Sequence, residues 1–428
     1  MSFPRYERYK ESGVEWLGEV PGHWDVKRIG YYFNERREKV SDKDYPALSV
    51  TKNGIVPQLD TAAKTDDGDN RKKVCKGDFV INSRSDRKGS SGVSDRDGSV
   101  SLICTVIRPQ EQVYTPFVHH LLRCQPFQEE FYRNGKGIVA DLWSTNYSEM
   151  RNIHLGMPPI SEQQAIAVFL DRETAKIDAL IAEQQRLIAL LAEKRQATIS
   201  HAVTKGLNPD APMKDSGVEW LGVMPEHWVT PTLNSRYSIE LGKMLDEKRI
   251  TGTHLVPYLR NIDVQWDSIN YEELPEMDIQ EVEFPRYTVQ KGDLLICEGG
   301  EVGRAAMVAD LVGICGFQKA LHRVRPRDAS EHTRFLFYTF VWAAATGVFK
   351  VGGTSTIAHL TGEQLRRYRF PKPTYVEQTA IAAFLDIYTT SLDTLTTEAQ
   401  RAITLLQERR SALISAAVTG KINLQGVA

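Results

Sequence analysis

From position 161 to about 204 the chain has neither proline nor glycine, and Ala, Leu, Ile, Glu, Gln and Arg dominate. These residues are strong helix formers. Apolar positions recur at heptad spacing, with Leu170, Ile177 and Leu191 on one row and Ile166, Leu180 and Leu187 on the other. A stretch near the C-terminus repeats the register, with Leu385, Leu392, Leu406 and Leu413 on one row and Ile381 and Leu395 on the other. Glu173, Gln184 and Ala399 interrupt the rows. The pattern predicts two long helices packed on each other as a coiled coil. Pro158 and Pro159 precede the first, Ser161 with Gln164 fits a capping box, and Gly206 with Pro209 ends it. At 1.5 Å per residue, ~44 residues span roughly 65 Å.

Elsewhere the pattern is shorter and mixed. Apolar, β-rich runs at 79–81, 100–107, 294–297 and 302–308 alternate with Gly and Asp turns. Short helices are predicted at 117–122 and 335–342. The string KGD at 76–78 and 291–293 reads as a tight turn entering a buried strand, with Gly77 and Gly292 supplying the permissive backbone.

The chain is a tandem repeat. Residues 10–26 and 214–230 share 11 of 17 positions, and 162–171 (EQQAIAVFLD) recurs as 377–386 (EQTAIAAFLD) with 8 of 10 identical. The KGD strands and the helix ends (ISHAVTKG at 199–206, ISAAVTGK at 414–421) match in the same order. An 11-residue difference in offset places an insertion in the second copy between about 231 and 290. The expected organisation is a globular domain at 1–157, a helix at 158–207, a second domain at 208–372 and a second helix with its tail at 373–428. If equivalent units pack equivalently, a pseudo-twofold axis relates them. The helices then run antiparallel, and the segment after Ile422 returns beside the first GVEWLG.

Composition narrows the class. Hydrophobic residues make up 41% and charged residues 25% of 428, as in soluble globular proteins. No apolar run is long enough for a membrane span, the N-terminus lacks an apolar signal core, and five cysteines without a CxxC point to a reducing cytoplasm. The formal charge of −2 excludes a globally basic nucleic-acid binder but not a local basic surface. No GxxxxGK[ST], HExxH or [DN]PP[YF] occurs, GGEVG at 299–303 is a lone glycine cluster, and His119–His120 lacks partners at metal-ligand spacing. The chain reads as non-enzymatic, with no cofactor or metal of its own.

Binding remains. After each KGD strand comes a polar, glycine-rich stretch, carrying Arg84, Arg87, Lys88, Ser90 and Ser91 in the first unit. In the second it carries Arg304, followed by Gln318 and Lys319. A further loop holds Lys136, Ser144 and Asn146 in the first unit and Thr354, Ser355 and Thr356 in the second. Such side chains suit phosphates and base edges, while the alternative is solvated turns with incidental charge. Lys+Arg against Asp+Glu is 21 to 17 over 27–157 and 18 to 18 over 231–372, so charge alone does not identify DNA. Trp16, Trp24, Trp220 and Trp228 all lie in the opening repeat and read as apolar anchors onto the helices, with a partner-protein contact as the alternative.

The order GVEWLG…HW, KGD strand and EQxAIAxFLD helix ending ISxAVTxG, present twice, resembles the DNA specificity subunit of type I restriction–modification enzymes over essentially the whole chain. The resemblance implies an α/β (α+β) fold, with two pseudo-twofold-related mixed α/β target-recognition domains separated by two long antiparallel coiled-coil helices. It implies that each domain reads one half of a bipartite site in double-stranded DNA and that the helices set the gap between halves. It further implies two methylation subunits carrying S-adenosylmethionine and two motor/nuclease subunits using ATP and Mg, with no membrane. No residue-level recognition code carries over, so the loop residues rest on their own chemistry. The competing classes are a two-headed protein–protein scaffold without DNA contact and an orphan DNA-modifying enzyme.

Overall fold

The computed structural model describes residues 3–60, 68–137, 143–245, 251–309, 311, 313–350 and 359–425. It divides into two compact units, residues 1–185 with 400–428, and residues 186–399. Both unit boundaries fall inside long helices, Ile160–Lys205 and Tyr375–Val418.

Each unit contains a segment of both helices. In the first unit Ile166 and Leu170 join one core cluster with Leu413, Ile414, Ala417 and Val418, and farther along Arg410 Nε donates to Asp178 Oδ1 at 2.8 Å. In the second unit Ile199, Ala202 and Val203 share a core with Ile381 and Leu385, and Arg195 bonds Asp393. Within each unit the two segments are therefore antiparallel. Leu170, Ile177, Leu191, Leu385 and Leu392 are buried, but Leu180, Leu187 and Leu395 are exposed. A two-helix contact hides a narrow stripe, so the second row is buried only at Ile166 and Ile381, within the unit cores, and only the first continues as a seam. Ala399, read as an interruption, is buried on that row.

The first helix begins at Ile160, so Ser161 lies inside its first turn rather than capping it. The Pro159 carbonyl takes the N–H groups of Glu162 and Gln163 instead. The second helix does have a side-chain cap: Thr374 Oγ1 accepts from Glu377 N–H at 3.3 Å and donates to its carboxylate at 2.8 Å.

The domain frames match strand for strand. The first unit has an antiparallel sheet in the order Ser91–Val93, Phe79–Asn82, Cys104–Pro109, Phe33–Glu35. The second has Ala305–Met307, Leu294–Cys297, Leu321–Pro326, Tyr237–Leu241. The run expected at 100–107 is two strands in different sheets, Gly98–Val100 and Cys104–Pro109, because Ser101 to Ile103 turn outward between them. The run at 302–308 shortens to Ala305–Met307. The expected short helices are Thr115–Leu121 and Thr333–Ala345.

Both KGD strings form the expected turn. Gly77 and Gly292 have φ of 92° and 91°, a region that side-chain-bearing residues avoid. The buried Asp of each string takes an arginine fork, Arg36 on Asp78 and Arg325 on Asp293. Arg36 follows the strand Phe33–Glu35 while Arg325 lies on the strand Leu321–Pro326, so the carboxylate is repeated but its partner is not.

Candidate nucleic-acid interface

The repeated motifs hold the frame. Trp24 Nε1 donates to Glu162 Oε1 at 3.0 Å, and Trp228 Nε1 donates to Glu377 Oε1 at 3.2 Å. The neighbouring His23 and His227 each reach the same carboxylate at 2.7 Å. The next residue, Gln163 or Gln378, stitches the helix start to the domain: Gln163 accepts from Tyr114 N–H and Gln378 from His332 N–H, both at 2.8 Å. Asp171 bonds His120 at 2.7 Å, and Asp386 bonds Arg334 and Tyr338. The EQxAIAxFLD string is thus polar contacts to the domain interleaved with buried Ile166, Ala167 and Leu170, or Ile381, Ala382 and Leu385. Trp16 and Trp220 do not reach the long helices in this way. They pack edge-on inside the domains, Trp16 on Phe127 and Trp220 on Phe370.

The first unit is closed by the end of the chain, as the repeat order predicts. Lys421 Nζ donates to the carbonyls of Leu17 and Glu19 at 2.9 and 2.6 Å, and Asn423 N–H bonds Pro4 O at 2.7 Å.

On this frame the first-unit candidates converge. Arg84 opens the short turn Ser85–Arg87 and is bridged through its backbone to Ser144, which is itself bridged to Lys136. Two loops some 50 residues apart in sequence thus meet. Arg84, Arg87 and Ser90 line a cleft of about 750 Å³ together with Thr51, Lys52 and Asn82. Arg87 is 68% exposed beside Asp86, Lys88 is exposed, and Lys136 is 79% exposed with Glu149 at 3.2 Å. Asn146 is exposed ahead of the helix Tyr147–Met150, whereas Ser91 is fully buried. Sequence reading missed the hairpin Leu48–Thr51 with Gly54–Pro57, whose Lys52 forms part of the cleft wall. Only its TKNG turn hinted at it.

The second unit differs. The Arg304 side chain is 13% exposed, and its Nη2 donates to the main-chain O and the Oδ1 of Asn261 at 2.9 and 3.0 Å. It holds a turn. Gln318 N–H bonds Leu259 O at 2.9 Å on the same segment, and Lys319 is exposed beside Met244. Arg304 and Gln318 are brought together around 259–261. Thr354, Ser355 and Thr356 lie outside the described residues.

Among the described residues, no group of three His, Cys, Asp or Glu could hold a metal, and no helix is long and apolar enough to cross a membrane. Burial pushes the Cys104 and Cys124 thiols up to about 12, which removes them as nucleophiles near neutrality.

Residues 225–405 match the Type I restriction modification DNA specificity domain. The type I restriction enzyme EcoKI specificity subunit of Escherichia coli K12 is 23% identical, covering 82% of this chain and 76% of that protein. The putative type I restriction enzyme MjaX specificity subunit of Methanocaldococcus jannaschii is 20% identical over 99% of both chains. In fold, the chain is similar to the HsdS subunit from Thermoanaerobacter tengcongensis, at TM-score 0.58 and 18% identity over 94% of this chain and 98% of that one. A chain from a solved type I R-M system superposes at TM-score 0.66, also 18% identical, over 93% and 98%. The match to that domain lies in residues 225–405, and specificity subunits of type I restriction enzymes are similar to this chain along nearly its whole length.

Proposed function

We propose that the chain is the DNA sequence-recognition subunit of a type I restriction–modification complex. Each domain reads one half of a bipartite site, and the long helices set the spacer and dock the methylation subunits. The observation that carries this reading is a repeated frame under different loops. The Trp–Glu contact, the KGD turn and the four-strand order recur in both units, while the cleft around Arg84 and the turn around Asn261 share no side-chain pattern. Two similar scaffolds with dissimilar edges suit two different base sequences.

The chain is non-catalytic in this reading. Two methylation subunits supply S-adenosylmethionine chemistry, two motor/nuclease subunits supply ATP and Mg chemistry, and the complex works in the cytoplasm. The cations in the first unit, Arg84, Arg87, Lys88 and Lys136, contact phosphate or base edges, with Ser90, Ser144 and Asn146 beside them. Gln318 and Lys319 serve the second unit, as do Thr354, Ser355 and Thr356. Ser91 and Arg304 support these loops from within.

The deciding experiment is long-read mapping of methylated adenines in cells with and without this gene. A bipartite motif that disappears with the gene supports the reading. An unchanged methylome, with the methylation subunits present, refutes it. Methyl transfer by the purified chain alone, above a vector-only preparation, would refute the non-catalytic assignment.

A further inference from the structure

In the second unit the strand Leu255–Leu259 runs into the short turn Asn261–Asp263, just ahead of the hairpin Val264–Gln265 with Ser268–Ile269. Asp263 is buried, and the Arg260 guanidinium closes on it edge-on, Nε to Oδ2 and Nη2 to Oδ1, both at 2.8 Å. The Arg260 main-chain N–H also donates to Oδ2 at 2.8 Å. Behind the turn, the Asn261 amide donates to Gly299 O and Ala320 O at 3.2 and 3.3 Å, while Arg304 holds its carbonyl groups. The turn is latched from three sides, yet the Arg260 side chain remains 35% exposed and the adjacent Ile262 is 66% exposed.

We propose that Arg260 reads a guanine in the second half-site, with Asp263 as the residue that positions it. This rests on the DNA-reading function above. Edge-on pairing occupies Nε and one hydrogen of Nη2. It leaves the tip of the fork, one N–H on each terminal nitrogen, aimed as a parallel pair. That pair matches the O6 and N7 acceptors that guanine shows in the major groove. A guanidinium already fixed by a buried carboxylate loses little further freedom when it pairs. A phosphate contact needs no such presetting, because phosphate accepts from many directions.

Topology supports the placement. In the second unit Tyr258 and Leu259 pair in parallel with Gly316 and Phe317, and in the first unit Ala47 bridges Ser99 in parallel. Two residues beyond Tyr258 stands Arg260, and two beyond Ala47 stands Ser49, which lines the cleft with Arg84 and Arg87. The position two beyond the parallel bridge meets the candidate loops in both units, with a different side chain on each.

The test uses the full chain co-expressed with its methylation subunits, as wild type, Arg260→Lys and Arg260→Ala. The methylated motif is read genome-wide, and binding of the purified complexes is measured over a salt series. Lysine keeps the charge and stem but lacks the two-pronged tip. The expected result for both variants is a guanine preference reduced roughly 5- to 150-fold at one position of one half-site. The other half-site should be unchanged. Asp263→Asn should relax the same position, which a purely structural role would not do. An unchanged motif overturns the proposal, whether binding stays the same or weakens at all sequences with a shallower salt slope. So does a wild-type second half-site without a G·C pair. If Arg260→Ala fails to fold, Arg260→Lys decides; if both fail, Arg260 serves only to neutralise Asp263 and the proposal falls. A wild-type chain that directs no methylation is a different failure, that of DNA reading itself.

Discussion

Trp24 and Glu162 stand 138 positions apart in sequence, and the indole N–H of one bonds the carboxylate of the other at 3.0 Å. Tyr6 Oη reaches the same oxygen at 2.6 Å, and the carboxylate is buried. Each buried donor left without an acceptor costs about 1–3 kcal/mol. Glu162→Ala orphans the Trp24 and Tyr6 donors at once, so the expected loss is roughly 3 kcal/mol, confined to the first unit. Glu377→Ala orphans one buried donor, Trp228 Nε1, so the second unit should lose about 1–3 kcal/mol. Hydrogen exchange at residues 160–170 and 375–385 measures this, and equal loss in both units from either variant would contradict it.

Modular reading has its own test. Exchanging residues 27–157 for the equivalent domain of another family member keeps both Trp–Glu contacts, because Trp24, Trp228, Glu162 and Glu377 lie outside the exchange. One half of the methylated motif should change and the other should persist. A folded chimera with both halves altered would show that the domains do not read independently.

The loop cations should separate by geometry. Arg84, Arg87 and Lys88 are exposed, so each that meets a phosphate should, as alanine, weaken binding to all sequences and lower the log–log salt slope by about 0.9. Arg304 is held on Asn261, so Arg304→Ala should lower the thermal midpoint with little change in salt slope. A slope change for Arg304→Ala equal to that of the surface cations would reverse this assignment.

The helices should act as a ruler. Four residues inserted near Gln184, within the unbroken helix Ile160–Lys205, add about 6 Å of rise and turn the far end by roughly 40°. DNA rises about 3.4 Å per base pair, so the spacer should lengthen by one or at most about two pairs while both half-sites stay the same. An active variant with the original spacer would refute the ruler. Two inserted residues swing the apolar row by roughly 200° and should cost more stability.

Acid should weaken the first unit through His119. Burial, and after it the Arg123 guanidinium at 2.6 Å, push this imidazole from 6.5 down to about 3. Above pH 6.5 both folded and unfolded chains hold it neutral, so it contributes no pH dependence. Between 6.5 and about 3 the unfolded chain takes up a proton that the folded chain refuses, and stability falls as pH falls. Denaturation midpoints at pH 7.5 and 5.0 should differ less in His119→Gln than in the wild type. An equal drop in both would exclude His119 as the cause.

Local features were legible because they are written in neighbouring residues. Heptad spacing and the lack of Gly or Pro specify both long helices, the KGD strings specify their turns through Gly77 and Gly292, and self-matching specifies the duplication. The repeat order even places Lys421 beside Leu17, since a second copy of a fold has to close as the first does. What the tertiary structure alone decided concerns pairs far apart in the chain. No spacing rule tells that Glu162 receives Trp24, that Arg304 is occupied by Asn261, or that Lys52 joins Arg84 in one cleft. Arg84 and Arg304 follow matched strands and look alike in sequence, yet one is exposed and the other latched. The difference is which carbonyl or amide the rest of the fold brings within hydrogen-bond reach, and an arginine's role follows from that partner rather than from its own chemistry.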